Sequence, residues 1–523
     1  MRQEAIQNWQ LRKPAVSSKR GLVSAQNLGA ARIGARVLAE GGNAVDAAVA
    51  TALALGVVEP WMSGIGGGGL MTLFRAADRS LHVVDFTMTA PSALDPEAYP
   101  LAEGEGGDLF TWPRVRGDAN VTGAKSICVP GAVDGLALAL ARFGTVGFDR
   151  ALAPAIDLAE GGVAANWFTT LVLAAAQPEL ARFHEAASVF LPGGHVPAPP
   201  AGGGAAPVIR QPKLAATLRR LAEDGPRAFY EGPLAEGMAR DVQAAGGFLS
   251  AEDMAACRAE VKTPLSFSHN GAGVHTTPGL TAGPTLRAAL DHLGEADAGD
   301  GPLDAPAMVA IARALQSAYE ERFANMGHAG RHNSCTTHLN VVDAEGNMVA
   351  LTNTLLSRFG SKVLLPESGV LMNNGVMWFD PRPGRPNSIA AGARPLCNMC
   401  PTIISRDGQA VLALGAAGGR QIVSAVCQLI AHVLDHGMSP EEAIHQPRLD
   451  MSGGPQVTLD ARLPAGWIET IAAAMPAVVA ESVVYPVRFA LASMVARDPA
   501  SGLNTGTAEP SHPLSGTARE SDG

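Results

Sequence analysis

The chain has 523 residues, of which 47% are hydrophobic and 17% charged, and its formal net charge is −10. That is a globular composition and excludes a disordered chain. The acidic balance, spread without long blocks, argues against nucleic acid as a partner, and with no run of 18 apolar residues no membrane span is expected.

Length alone suggests about three domains, and no internal repeat is visible. Met1 to Arg20 is polar and mixed in charge. It lacks the apolar core of a signal peptide, so a cytoplasmic location is expected. The six cysteines (Cys128, Cys257, Cys335, Cys397, Cys400 and Cys427) are too sparse for a disulfide framework.

In chain order, residues 27–58 read as two helices broken at Gly41-Gly42-Asn43. The second, Ala44 to Val58, is so rich in alanine that it should pack on several sides. Gly64 to Gly69 formally matches a dinucleotide-binding glycine pattern. The context is wrong, because a helix precedes it and the strand-like Leu70–Phe74 follows. The glycines read instead as a loop where backbone passes close to backbone or substrate. Leu81–Phe86 alternates as a strand and should pair with 70–75. Residues 100–120 look like loop, 132–143 like helix, and 150–182 like helix. A Pro/Gly connector spans 191–206, and helices follow at 213–223 and 232–245. Ser250 to Asp253 looks like a capping box. Residues 306–325 read as helix, and Gly327 to Ser334 as a break.

Two β-branched runs, 338–342 and 348–355, then flank Asp343-Ala344-Glu345-Gly346-Asn347 and predict a hairpin. After it come a strand-like Val370–Met372, a turn at Asn373-Asn374-Gly375 and a loop at 380–393. Strands are expected at 401–404 and 411–414, a helix at Arg420–Asp435, and another opened by Ser439-Pro440. The last fifteen or so residues look frayed.

The hairpin opens on Thr336-Thr337. A threonine attacks an amide only if something takes its proton, and one solution is to make it the first residue of a chain, with its own α-amine as base. A cut before Thr336 would expose such a group. The plainer reading of Thr-Thr at a strand start is β-propensity.

Many ordered motifs weigh toward the first reading. They are Gly41-Gly42-Asn43-Ala44-Val45-Asp46-Ala47-Ala48, Gly66 to Gly69, Val129-Pro130-Gly131, Thr336-Thr337-His338, Asp343 to Asn347, Arg394-Pro395-Leu396, Met399-Cys400-Pro401-Thr402-Ile403, Gly418-Gly419 and Pro447-Arg448. Across almost its whole length the sequence resembles the gamma-glutamyltransferase (glutathione hydrolase) family of N-terminal-nucleophile hydrolases. The resemblance implies an α+β fold, a four-layer αββα sandwich. It implies self-cleavage between Cys335 and Thr336, giving a large subunit 1–335 and a small subunit 336–523 that stay together as a heterodimer. It makes Thr336 the nucleophile with its amine as base, Thr354 the hydrogen-bond partner of its hydroxyl, and Gly418 and Gly419 the oxyanion-hole donors. No metal or cofactor is implied. His338 is expected to be structural, since the α-amine fills the base role.

The residues that select a γ-glutamyl group in transferases are largely replaced. Thr87 stands where they carry a carboxylate-clamping arginine, and Trp378 where they carry an acid. Cys397-Asn398 replaces a serine pair, and Leu356 an asparagine. Asn374 and Ser357 line the expected pocket by position, and the segment before Thr336 looks short for a transferase. Losing a clamp and a counter-charge should cost several kcal/mol for a γ-glutamyl group. A small acid amide or acyl amide, oxamate-like or glutaryl, is therefore the expected substrate. The alternatives are a glutathione hydrolase/γ-glutamyltransferase with substitute contacts from Arg358, Arg382, Arg385 or Arg394, and an uncut scaffold. A metal or redox protein using Cys397, Cys400, His328, His332 and Cys335 is a further alternative, weakened because a lone C-x-x-C is poor evidence for zinc.

Overall fold

The computed structural model describes residues 11–105, 112–295, 301–327 and 335–522, with Cys335 and Thr336 described by their backbone. The expected break at 328–334, with His328 and His332, lies outside the described residues.

Two seven-stranded sheets, antiparallel throughout, make the centre. The first runs Gly516–Arg519, Leu22–Ala25, Cys335–Val342, Met348–Leu356, Gly68–Arg75, Ser80–Phe86, Glu260–Lys262. The second runs Val16–Ser18, Leu503–Ala508, Leu491–Asp498, Gln409–Ala417, Thr402–Arg406, Ala272–Thr276, Leu265–His269. Helices Leu28–Ala39 and Ala44–Val58 cover the outer face of the first sheet, and Gly283–Glu295 and Gln421–Leu434 that of the second. The fold is the αββα sandwich that the resemblance implies.

Each sheet shares a large apolar core with its own helices. Between the sheets the apolar layer is thin, built on residues such as Phe74, Met348, Ile403 and Val495. Polar contacts fasten it: Thr72 Oγ1 donates to Pro401 O at 2.7 Å, Ser24 Oγ to Thr507 O at 2.7 Å, and Asn340 Nδ2 to Ser493 O at 3.0 Å. Buried polar groups with partners cost little and fix register.

The first motif explains the helix pair. Gly41 has φ 90°, a left-handed conformation that suits a residue without Cβ. Asn43 caps the second helix in a reciprocal box with Asp46. The buried Asp46 carboxylate also accepts from Thr145 N and Oγ1. Asp343, in the turn of the central hairpin, accepts from Ala44 N at 3.0 Å and from Asn347 N and Nδ2. Two motifs separated by 299 positions thus lock the hairpin turn onto a helix N-terminus. As the alanine content predicts, every residue of Ala44–Val58 except Gly56 is buried.

Several expectations are corrected. Residues 150–182 form two helices, Phe148–Gly161 and Trp167–Leu180. Gly162, at φ 84°, ends the first, and Asn166 caps the second by accepting from Phe168 N and Thr169 N. Val370–Met372 is no strand but one isolated bridge to Leu364, beside Gly369 at φ 66°. Asn373-Asn374 opens a 3-10 turn, Gly375–Trp378. Within 100–120, Leu101–Glu105 pairs with Pro113–Val115. The C-terminus is not frayed, since Gly516–Arg519 pairs in register with Leu22–Ala25. Its polar composition hides an edge strand whose inward residue, Ala518, is buried. The hairpin 265–276 and the pair 491–508 went unread, because their alternation is short and interrupted by polar residues. Among the described residues no helix is long and apolar enough to cross a membrane.

Candidate active site

The central hairpin puts Thr336 at the end of the sandwich. Cys335 pairs with Leu356 and Thr337 with Asn353, so Thr336 alone faces two residues, Thr354 and Leu355. Such a bulge bends the strand and re-aims its residues. Thr354 is fully buried, and its Oγ1 accepts from Leu356 N at 2.8 Å. Behind it the glycine loop closes in. A Cβ on Gly67 would lie 2.1 Å from Thr354 O, and one on Gly69 2.1 Å from Thr352 O. Gly67 O in turn accepts from Gly131 N and Ala132 N. The glycines serve close backbone packing, as the failed nucleotide context suggests.

His338 lies between the sheets. Asn340 Oδ1 can only accept, so Nε2 donates to it at 3.1 Å and Nδ1 accepts from Thr352 Oγ1 at 3.0 Å. Burial pushes its pKa down to about 4, against the Asn340 hydrogen bond, so the ring is neutral. A Cβ on Gly415 would meet this ring at 2.3 Å, which ties the two sheets' spacing to a glycine.

Gly418 and Gly419 sit where the strand Gln409–Ala417 passes into the helix Gln421–Leu434, with φ 150° and 59°. Neither N–H donates to a described residue. Donors at a helix start point outward and carry its positive end. The next side chain, Arg420, is buried, with Cζ 5.3 Å from the Trp112 ring centroid and 5.4 Å from that of Phe323. Burial pushes its pKa down to about 9.

The expected substrate residues occupy two neighbourhoods. Thr87 Oγ1 donates to Asp85 at 2.7 Å, and Asp85 also holds Lys262 at 2.6 Å and Arg394 at 3.1 Å. Burial alone would raise the Asp85 pKa, but hydrogen bonds from Lys262 and Thr87 and the Arg394 charge hold it below the usual range. Trp378 and Cys397 are buried in one apolar cluster with Trp112, Val376 and Phe379. Asn374 Nδ2 donates to Ser357 Oγ at 2.8 Å and to Val121 O at 2.8 Å. Asn398 Oδ1 accepts from Arg322 Nη2 at 2.9 Å. Of the four arginines considered as substitute anion contacts, Arg382 binds Asp380, Arg394 binds Asp85, and Arg385 is exposed. Arg358 stacks over Tyr485, 5.2 Å from its centroid.

Sequence reasoning missed Arg322. It ends the helix Ala305–Arg322, where an arginine normally reads as solvated, yet it is buried and also donates to Cys397 O, Thr281 O and Thr285 Oγ1. It also missed a cavity of about 300 Å³ against Gly418, lined by Trp61, Phe168, Arg358, Lys362, Tyr485 and His512 among others. Cys397 and Cys400 are buried free thiols. Burial pushes the Cys397 thiol up to about 12 and raises that of Cys400 as well.

The geometry places a strand-opening threonine, a buried second threonine and a pair of glycines at a strand-to-helix joint at one end of an αββα sandwich. The family model described as Gamma-glutamyltranspeptidase matches residues 30–333 and 316–513. The chain belongs to the gamma-glutamyltranspeptidase family. It is 36% identical over 482 residues to the acylase ACY 1 proenzyme of Pseudomonas sp. (strain SE83), covering 85% of this chain and 84% of that protein. It is 31% identical over 490 residues to the glutathione hydrolase proenzyme of Escherichia coli (strain K12), covering 83% and 81%. A crystal structure of cephalosporin acylase from Bacillus halodurans superposes with TM-score 0.84 at 25% identity, covering 99% of each chain. Membership makes the chain an amide-cleaving enzyme of this family.

Proposed function

We propose that the chain cuts itself before Thr336 and then hydrolyses the amide of a small acid, or another acyl amide, in preference to a γ-glutamyl amide. In the first step Thr336 Oγ attacks the Cys335 carbonyl carbon, and the peptide C–N bond breaks to leave an ester and a free amine. Water hydrolyses the ester, leaving a Cys335 carboxylate and Thr336 with both hydroxyl and amine free. In turnover the amine takes the hydroxyl proton as Oγ attacks the substrate carbonyl. The oxyanion receives hydrogen bonds from the Gly418 and Gly419 N–H groups, a contribution on the order of 3 kcal/mol per donor. The leaving amine departs with the proton, and water resolves the acyl-enzyme. Thr354, across the bulge, orients the Thr336 hydroxyl.

The interleaved sheets support a pair that stays together after the cut. In the first sheet, strands before Cys335 flank both strands of the central hairpin, so 1–335 and 336–523 share one hydrogen-bonded ladder.

The observation that carries the substrate reading is the state of the clamp region. Thr87 is spent on Asp85, and Trp378 is packed in an apolar cluster. The acylase relative is consistent with an acyl group other than γ-glutamyl. Arg394, which shares the Asp85 carboxylate with Thr87, together with the glutathione hydrolase relative, favours γ-glutamyl hydrolysis as the second reading. A panel of glutaryl, oxamic and γ-glutamyl p-nitroanilides separates the two. A lost clamp of about 3 kcal/mol corresponds to roughly a hundredfold in kcat/KM. The proposal predicts the γ-glutamyl substrate slower by at least about that factor than the best other acyl group. A γ-glutamyl substrate that is the fastest of the panel overturns it.

A further inference from the structure

Two buried side chains at the Thr336 end of the first sheet each carry an oxygen with no hydrogen-bond partner among the described residues. They are Glu59, through Oε2, and Thr337, through Oγ1. Unpaired buried oxygens are costly, and two at one place call for a shared partner or for each other.

The fold puts them on the same side of the sheet. Side chains alternate along a strand, so Thr337 faces the side that Leu339 and Val341 face. Those two pack in the core shared with Val49, Leu55 and Val58 of the helix Ala44–Val58, and Glu59 is the residue that ends this helix. Glu59 also touches both strands that flank Thr336-Thr337. On one side Asn27 Nδ2 donates to its Oε1 at 3.2 Å. Continuing the pairing of Leu22–Ala25 with Leu339–Val342 by two positions sets Asn27 level with Thr337. On the other side Glu59 O accepts from Met62 N at 2.9 Å, and Met62 O accepts from Leu355 N at 3.1 Å. Leu355 is one of the two residues across the bulge from Thr336. Glu59 therefore stands behind the strand start, tied to its neighbour on either side.

We propose that Glu59, in its neutral acid form, is a positioning residue for self-cleavage: it holds the Thr337 hydroxyl, directly or through one buried water, and so fixes the peptide between Cys335 and Thr336 against the bulge. A neutral carboxyl can donate to Thr337 Oγ1 while its other oxygen accepts from Asn27. An ionised one brings a charge into a place with no cation to receive it. Burial holds the acid form up to about pH 8, opposed by the Asn27 hydrogen bond, and no charged group acts on it. The residues that the neighbouring elements bring beside it, Asn27 and Thr337, do not titrate in this range. Small displacements of reacting groups cost large factors in rate. The inference rests on the proposed self-cleavage, and adds what aligns the bond before any free amine exists.

The test follows the cut in full-length chains made by timed cell-free synthesis, with denaturing mass analysis as the readout. The melting temperature of each variant is measured alongside, and rates are compared where all are folded. Glu59→Ala and Thr337→Val should each slow the cut by at least about tenfold. The double variant should be no slower than the slower single one, because both remove the same contact. Glu59→Gln keeps a neutral donor and acceptor and should be cut near the wild-type rate at pH 7. The ratio of wild-type to Glu59→Gln rates should then fall about tenfold between pH 7 and 9, as Glu59 ionises. If Glu59→Ala does not fold, Thr337→Val and the pH comparison with Glu59→Gln decide. Thr337→Val cut at the wild-type rate, multiplicative effects in the double variant, or parallel pH profiles would overturn the inference while a cut wild type leaves the proposed function standing. A wild type that is never cut overturns both.

Discussion

Glu59 shows how a single residue carries the cost of the site's scaffold. It follows the helix Ala44–Val58 and is wholly buried, with Asn27 Nδ2 donating to Oε1 at 3.2 Å. Burial raises its pKa to about 8, against that hydrogen bond. Its folded pKa thus lies above its unfolded value near 4.5, and the folded state binds the extra proton throughout that window. Stability is complete below the unfolded pKa and declines as pH rises toward about 8, at up to roughly 1.4 kcal/mol per pH unit. Glu59→Gln should remove that slope. Thermal unfolding of both proteins from about pH 5 to 8 checks it, and parallel profiles would contradict the assignment. The sequence did not disclose this residue, because Glu-Pro at a helix end reads as a solvated terminus. Asn43, Asp46, Asp343 and Asn347 were legible as motif residues. Their work as a buried lock between two distant segments was not, since no local pattern records a contact 299 positions away.

At the scale of elements, legibility followed periodicity and capping. The helices at 28–39 and 44–58, the central hairpin and the capped starts at Ser250 and Ser439 all formed where their patterns pointed. Short polar strands did not announce themselves, and the C-terminal one matters most. Gly516–Arg519 pairs across four positions with Leu22–Ala25, the neighbour of the strand that bears Thr336. Just beyond it the buried Glu520 accepts from Gly21 N at 2.8 Å and pairs with Arg20. Removing residues 516–523 would expose the edge of Leu22–Ala25 and leave buried donors without partners. A loss of roughly 3–5 kcal/mol is expected, a large share of a typical domain's stability. The melting temperature of a chain ending at Ser515 tests this. An unchanged value would mean that the strand is ornamental.

For the whole molecule, the sandwich places three things at one end: the bulge at Thr336, the buried Thr354, and the glycine amides that open the helix Gln421–Leu434. The apolar cluster containing Leu355, Trp61, Ala417 and Leu491 brings the two sheets' contributions together there. The interleaved strand order places strands from both sides of the proposed cut in one hydrogen-bonded ladder. The motifs made the family legible, while the cavity and the buried Arg322 required the fold, because each is assembled from segments far apart in the chain. The central claim is that the bond before Thr336 is cut by Thr336 itself. Intact mass under denaturing conditions, for the wild type and for Thr336→Ala, tests it most directly. The account predicts two wild-type polypeptides, one ending at Cys335 and one beginning at Thr336, and a single uncut chain for the variant. A wild type that remains one chain, or a variant that is cut at the same bond, would contradict it.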